Sequence, residues 1–297
     1  MEDLIVFQDD KEIERLRVQN ELLSSYERPA LDSIFANCRG EDGKAVLDIG
    51  CNDGEKTVSI FSYNSISNVV GLEYNKKLAQ KAQKEFGNDK FFFSTLDVES
   101  DNFIASLGKI MKDKGIKAFD CIYLSFVLMH LKNPKKLLVT LRGLLKDEGA
   151  LVIVEANDSA SSLSGDTGHL LATFLDILNK DKYSGDRLLG ASVEQMAKDC
   201  GYENIHIWCD AVSAGHGEQA KKQAIVTTFF SYLEEDVDIL LKEEDCKEYR
   251  KWKDWLVCHL PELQSLILKE ESEISMGMKI LSCKKGLLQD GTSVRRG

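Results

Sequence analysis

Apolar positions along the chain fall into two alternating rhythms. Short apolar runs of strand length occur at "AVLDIG" (45–50), "NVVGLEY" (68–74), "KFFFSTLDV" (90–98), "FDCIYLSFV" (119–127) and "ALVIVEAN" (150–157). Between them the apolar residues recur at helical spacing. "KKLAQKAQKEFG" (76–87) reads as an amphipathic helix ending at Gly87. "PKKLLVTLRGLLKDEG" (134–149) starts with proline in its first turn and carries Leu137, Leu138, Leu141, Leu144 and Leu145 on one face. Further helices are predicted after Gly54 and around 101–114. Strand and helix thus alternate, which predicts a parallel sheet with helices on both faces.

The flanking regions follow other rhythms. Residues 11–38 read as helix, with Pro29 as a break. After 157 the pattern predicts helices over 168–180 and 192–201, the second capped by Ser192, then a strand over 204–212. Long helical stretches follow over 218–245 and 247–270, and a last strand over 273–285. There is no internal repeat and no Pro/Gly/Ser-rich linker, so one continuous domain with appended helices is expected. Its parts are a helical cap (1–40), a core (41–213), a helical insertion (214–272), the last core strand (273–285) and a flexible tail (286–297).

Composition narrows the function classes. The formal net charge is −11, and no basic patch of convincing length occurs: Lys76-Lys77 and Lys135-Lys136 are isolated pairs. Nucleic acid is therefore not an expected partner. Much of the acid lies in "LEEDVDILLKEEDCKE" (233–248), read as a solvated helix face. The eight cysteines are scattered without a CxxC pair, and the five histidines show no metal spacing, so no metal site is expected. No apolar run approaches membrane-spanning length and the N-terminal residues do not form a signal peptide, so a cytoplasmic protein without membrane partners is expected.

In an open parallel sheet, ligands bind beyond the carboxyl ends of the strands. The first strand runs into "DIGCNDG" (48–54), where Gly50 and Gly54 permit tight backbone and close approach. Glu73 ends the second strand, where a carboxylate suits two ribose hydroxyls. Asp97 ends the third, where it can accept from an exocyclic amine. An adenosine-shaped ligand accounts for all of these positions. The loop is poorly suited to a pyrophosphate: it lacks G-x-G-x-x-G, and Asp48, Asp53 and Glu55 bring negative charge to it. A sulfonium with an amino-acid tail tolerates that field, and its amino group profits from it.

Residues 45–157 resemble the class I S-adenosylmethionine-dependent methyltransferases. They are most similar to the small-molecule branch that includes ubiquinone- and menaquinone-biosynthesis enzymes. "VLDIGCNDG", "GLEYN", "LDVE" and "FDCIYLSFVLMHLKNPKKLLVTLRGLLKDEGALVIVE" carry the resemblance. It implies an α/β, Rossmann-like seven-stranded, mostly parallel sheet with helices on both faces, an antiparallel last strand and added helices. It implies S-adenosylmethionine as cofactor, with S-adenosylhomocysteine as product. Gly50, Cys51 and Asn52, with Gly54 closing the loop, would wrap its methionine part, and Asp48 would anchor the amino group. Glu73 would hold the ribose, Tyr74 would flank the adenine, and Asp97 with Val98 would meet the adenine edge. Ser125 and Phe126 would line the floor near the sulfonium. The departure from the pattern is Asn52, which stands where the family has glycine; asparagine is the residue best able to replace glycine in left-handed backbone.

Methyl transfer from a sulfonium needs positioning more than protein chemistry, and a base only if the acceptor must lose a proton early. Candidates for that base are His130, Glu155 and, less directly, His169. The acceptor, a small molecule methylated at N, O or C, is expected under residues 1–40 and 158–190. Tyr183 and Arg187 are read either as a salt-bridged turn or as a polar clamp, Arg187 suiting a carboxylate. The aromatic residues of the insertion are read as core packing or as a homodimer face. Two rivals stand beside this reading: a nicotinamide-dependent oxidoreductase, and a non-catalytic cofactor-binding scaffold or partner protein.

Overall fold

The structure is a computed structural model that describes residues 10–36 and 43–286. The N-terminal signal question, Cys38 and the tail beyond 286 lie outside the described residues. The chain opens with α1 (Asp10–Phe35), followed by β1 (Lys44–Ile49), α2 (Glu55–Ile60), β2 (Ile66–Glu73), α3 (Lys76–Phe86) and β3 (Phe91–Thr95). Then come α4 (Phe103–Asp113), β4 (Phe119–Ser125), α5 (Pro134–Leu144) and β5 (Leu145–Ala156). A two-residue strand, β6 (Ser162–Leu163), precedes α6 (Leu170–Lys180), α7 (Val193–Asp199) and β7 (Tyr202–Ala214). The helices α8 (Gln219–Phe230), α9 (Leu233–Glu243) and α10 (Lys247–Ile267) lead to β8 (Ile274–Lys285).

The sheet runs in the order β3-β2-β1-β4-β5-β8, with β6 and β7 both pairing β8. The pairs among β1 to β5 are parallel, and β8 is antiparallel to β5, β6 and β7. Order reverses at β1, which lies between β2 and β4, so the crevice beyond the carboxyl ends of β1 and β4 is the topological switch point. Among the described residues the sheet has eight strands, because β6 adds a short pairing to β8 that carries no apolar run of its own.

Each central strand is buried on both sides, and alternate residues feed two cores. Val46, Cys121, Tyr123, Val152 and Val154 join α1, α6 and α8 to α10 on one face. Leu47, Ile49, Ile122, Leu124 and Leu151 join residues of α4, α5 and α7 on the other. Phe229, Phe230 and Trp252 of the insertion are buried in the chain's own core.

Three boundaries depart from expectation. Pro29 does not break α1, which continues to Phe35; burial of Leu22, Leu23, Ala30, Leu31 and Phe35 on both sides of it outweighs the hydrogen bond proline removes. The helix begun at Pro134 ends at Leu144, and Leu145 already belongs to β5. The stretch 218–245 is two helices, since the chain turns between Phe230 and Leu233. Ser192 makes no side-chain cap on α7; its hydroxyl donates to the Leu189 carbonyl.

Candidate active site

The loop after β1 is held in a single shape by its own backbone. Gly50 and Gly54 have φ of 75° and 84°, and Asn52 has φ of 50°. Asn52 therefore takes the left-handed backbone that glycine would take, and its side chain helps, accepting from the Asp53 N–H at 2.6 Å. A Cβ on Gly50 would come within 2.5 Å of Val127, so the loop also needs glycine for its fit against the loop after β4. The N–H groups of Gly50 and Cys51 both donate to the Leu72 carbonyl, at 2.8 and 3.1 Å.

Glu73 fastens this loop to the end of β2. Its Oε2 accepts from the Asn52 N–H at 3.0 Å and its Oε1 from the Asn75 N–H at 2.8 Å. Each oxygen keeps a further lone pair for a hydroxyl donor. Burial pushes the Glu73 pKa up, and the N–H groups of Asn75 and Asn52 act against that shift. Beside it Tyr74 is 47 % exposed, an aromatic face open to a planar partner. Asp97 and Val98 follow β3 half-buried, and Asp97 Oδ1 accepts from the Glu99 N–H at 2.9 Å.

Asp48 is almost fully buried. Its Oδ2 accepts the Thr57 hydroxyl at 2.5 Å, and burial raises its pKa to about 6 against the lowering pull of Thr57 and Lys56. Ser125 and Phe126 lie half-buried at the end of β4. Phe126 has φ of 55°, a rare conformation for an aromatic residue and one that marks a constrained loop. Glu155 holds that loop: fully buried, it accepts from the Val127 and Leu128 N–H groups at 3.0 and 2.7 Å. Burial lifts its pKa to about 8, with those N–H groups pulling the other way.

The structure thus brings Asp48, Gly50, Cys51, Asn52, Gly54, Glu73, Tyr74, Asp97, Val98, Ser125 and Phe126 to one end of the sheet. Of the acceptor-side candidates, it brings Arg187 within electrostatic reach of His130 and Glu155, whereas Tyr183 and His169 make their contacts elsewhere. The Tyr183 hydroxyl bonds to Glu243 at the end of α9. Arg187 makes a bidentate pair with Asp158, at 2.7 and 3.0 Å, and is buried. Its fork is filled by an internal carboxylate, so the salt-bridged turn is what forms. His130 lies against the turn at Gly185, where an added Cβ would stand 2.9 Å from its Nδ1. Solvent reaches His130, yet the protein packed around it, and then Arg187, hold its pKa down to about 4. His169 lines an open groove of about 460 Å³ together with Asp158, Ser161, Asp166 and Asn179, and no residue of the β1 loop lines it.

Several residues at this end escape sequence reasoning. Lys56 Nζ donates to Glu27 Oε1 at 2.8 Å and to Ser125 Oγ at 2.9 Å. Glu27 is fully buried in α1. The available signal is its place at the Leu23, Glu27, Leu31 spacing, an acid on an otherwise apolar helix face.

A family model described as "Methyltransferase domain" matches residues 17–213, about two thirds of the chain. An uncharacterized methyltransferase of Schizosaccharomyces pombe is 32 % identical over 114 residues, 38 % of this chain and 40 % of that protein. A ubiquinone biosynthesis O-methyltransferase of Glaesserella parasuis is 28 % identical over 120 residues, 40 % of this chain and 48 % of that protein. The chain thus spans less than half the length of these curated relatives. The crystal structure of the YcgJ protein of Bacillus subtilis shares the fold with a TM-score of 0.51 at 16 % identity, over 89 % of this chain and 99 % of that one.

Proposed function

The chain belongs to the methyltransferase-domain family, and from that premise we propose that it transfers a methyl group from S-adenosylmethionine to N, O or C of a small molecule by in-line displacement, with S-adenosylhomocysteine as product. The observation that carries this reading is the β1 loop: left-handed backbone at Gly50, Asn52 and Gly54, locked to Glu73 at the end of the neighbouring strand. The donor set fits the cofactor. Glu73 offers lone pairs to ribose hydroxyls, Tyr74 an open ring to the adenine, and Asp97 with Val98 its edge. Gly50, Cys51, Asn52 and Gly54 shape the bed for the aminoacyl end, with Asp48 beneath it and Ser125 and Phe126 as floor.

When bound, the cofactor supplies an electrophilic methyl group on a cationic sulfur. The tasks left to the chain are to bind, orient and exclude water. In this reading Glu155 sets the loop that carries Phe126. His130, its pKa held to about 4, remains the candidate base that solvent reaches, while Tyr183 bonds to Glu243 of the insertion and Arg187 to Asp158. The chain divides into a core with an N-terminal helical cap and a helical insertion between its last two strands. Among the described residues no helix is long and apolar enough to cross a membrane.

Thermal stabilisation tests the reading. S-adenosylmethionine and S-adenosylhomocysteine should each raise the melting temperature and NAD should not. A shift with NAD alone would sink it, and a methyl-transfer screen over small molecules then separates an enzyme from a silent cofactor-binding scaffold.

A further inference from the structure

Two lysines reach the carboxylates around the β1 loop, and each is matched by an acid. At the rim Lys81 pairs with Asp53 at 3.0 Å. In the interior Lys56 Nζ pairs with Glu27 Oε1 at 2.8 Å, donates to Ser125 Oγ at 2.9 Å and lies 5.5 Å above the Tyr123 ring. The Tyr123 hydroxyl is in turn paired with Glu27 and Ser125. Packing does not call for the inner pair. Glu27 has no solvent exposure and sits between Leu23 and Leu31 on the buried face of α1, where an apolar side chain would serve the core. Replacing a buried ion pair by apolar groups of like volume often leaves stability unchanged or raises it. Lys56, with its side chain 16 % exposed, can carry its charge to water without a partner. What Glu27 adds is a negative charge fixed beside the Lys56 ammonium, away from screening water. The field of the pair reaches the loop: Lys56 pulls the Asp48 pKa down and Glu27 pushes it up, so the two oppose each other there.

We propose that Glu27 determines the ligand preference of the cofactor site: by cancelling the Lys56 charge it lets the site favour the sulfonium donor over its demethylated product. The proposal rests on the methyltransferase reading, in which the sulfur lies over Ser125. The two ligands differ by one methyl group and by one positive charge on sulfur. An ammonium beside Ser125 acts on that charge alone. It disfavours S-adenosylmethionine and is indifferent to the neutral sulfur of S-adenosylhomocysteine. With Glu27 paired to it the cation is masked, and Asp48 and Glu73 are the charges that the sulfonium meets. Preference of this kind is a difference between two affinities, set by a repulsive element or by its removal. Lys56 can thus hold the Ser125 hydroxyl without repelling the donor. Glu27 acts through the field of the pair, so its enclosure is no obstacle and it need not touch the ligand.

Isothermal titration of both sulfur ligands tests this, with the ratio of their Kd values, S-adenosylmethionine over S-adenosylhomocysteine, as the readout. Glu27→Gln keeps an acceptor for Lys56 and unmasks its charge, so the ratio should rise at least fivefold. Lys56→Met leaves the Glu27 carboxylate without its cation. In alkaline buffer its ratio should fall at least threefold below that of the wild type in the same buffer. The double variant should return to within twofold of the wild-type ratio. A merely structural role would weaken both ligands alike and leave the ratio in place. A ratio unchanged in both single variants, or moved the same way by both, would overturn the proposal. If Glu27→Gln does not fold, Lys56→Met decides alone, and a ratio that does not fall overturns it. Wild-type protein that binds neither sulfur ligand would instead bring down the methyltransferase reading itself.

Discussion

The Asn52 N–H donates to Glu73 Oε2 at 3.0 Å, so the carboxylate read as a ribose ligand is also the clasp of the loop beside it. In the proposed reading one residue serves binding directly and through the shape of its neighbour. Glu73→Ala should lower S-adenosylhomocysteine affinity by more than one lost contact, about a hundredfold on the scale of two charge-assisted hydrogen bonds. Isothermal titration checks it; unchanged affinity would remove the ribose assignment.

Asn52 itself can be tested by what it tolerates. Asn52→Gly should leave stability within about 1 kcal/mol, because glycine adopts φ of 50° freely and loses only the side-chain bond to Asp53. Asn52→Val should cost about 1–2 kcal/mol or more, since a branched side chain resists left-handed backbone. Denaturant unfolding of the pair gives the comparison, and equal stabilities would mean that the loop is not held there.

Arg187 separates a salt-bridged turn from a clamp. Arg187→Met strands the buried carboxylate of Asp158 and should cost about 3–5 kcal/mol of stability. Adding Asp158→Leu should recover much of it. A stable single variant whose only defect is a raised KM for a carboxylate-bearing acceptor would restore the clamp.

Stability should fall as pH rises from about 5 to above 8. Burial raises Glu155 and Asp236 to about 8 and Asp48 to about 6, so the folded protein holds protons that the unfolded chain has released. Their contribution is complete below the unfolded carboxylate range and is lost as pH passes the folded values. Glu155→Gln keeps an acceptor for the Val127 and Leu128 N–H groups and removes one titration. It should flatten the slope of melting temperature against pH between 5 and 8. An unaltered slope would show that Glu155 is ionised throughout that range.

The parallel core and the ring of residues at its carboxyl end are legible in the sequence because each rests on a local pattern. A buried strand is an apolar run, and "DIGCNDG" or a strand-end acid stands next to it. What is not legible depends on distant partners. Arg187 looks like an anion clamp until Asp158, 29 residues before it, fills the fork. Glu155 looks like a base until its place behind the Val127 and Leu128 N–H groups is seen. Pro29 looks like a helix break because the burial that carries α1 past it comes from other elements. Lys56 and Glu27 meet across 29 residues, and neither has a motif.

The antiparallel strand β8 carries one further consequence, for synthesis. It is the partner of β5, β6 and β7, and its pairing with β5 joins Leu151 to Cys283. While the ribosome is still making α8 to α10, β5 and β7 each wait with an open backbone edge, ready to pair with another chain. None of the residues gathered around the β1–β4 crevice lies on β8. The nascent chain can therefore build the strands around that crevice first, and it stays prone to aggregation until residues 274–285 emerge.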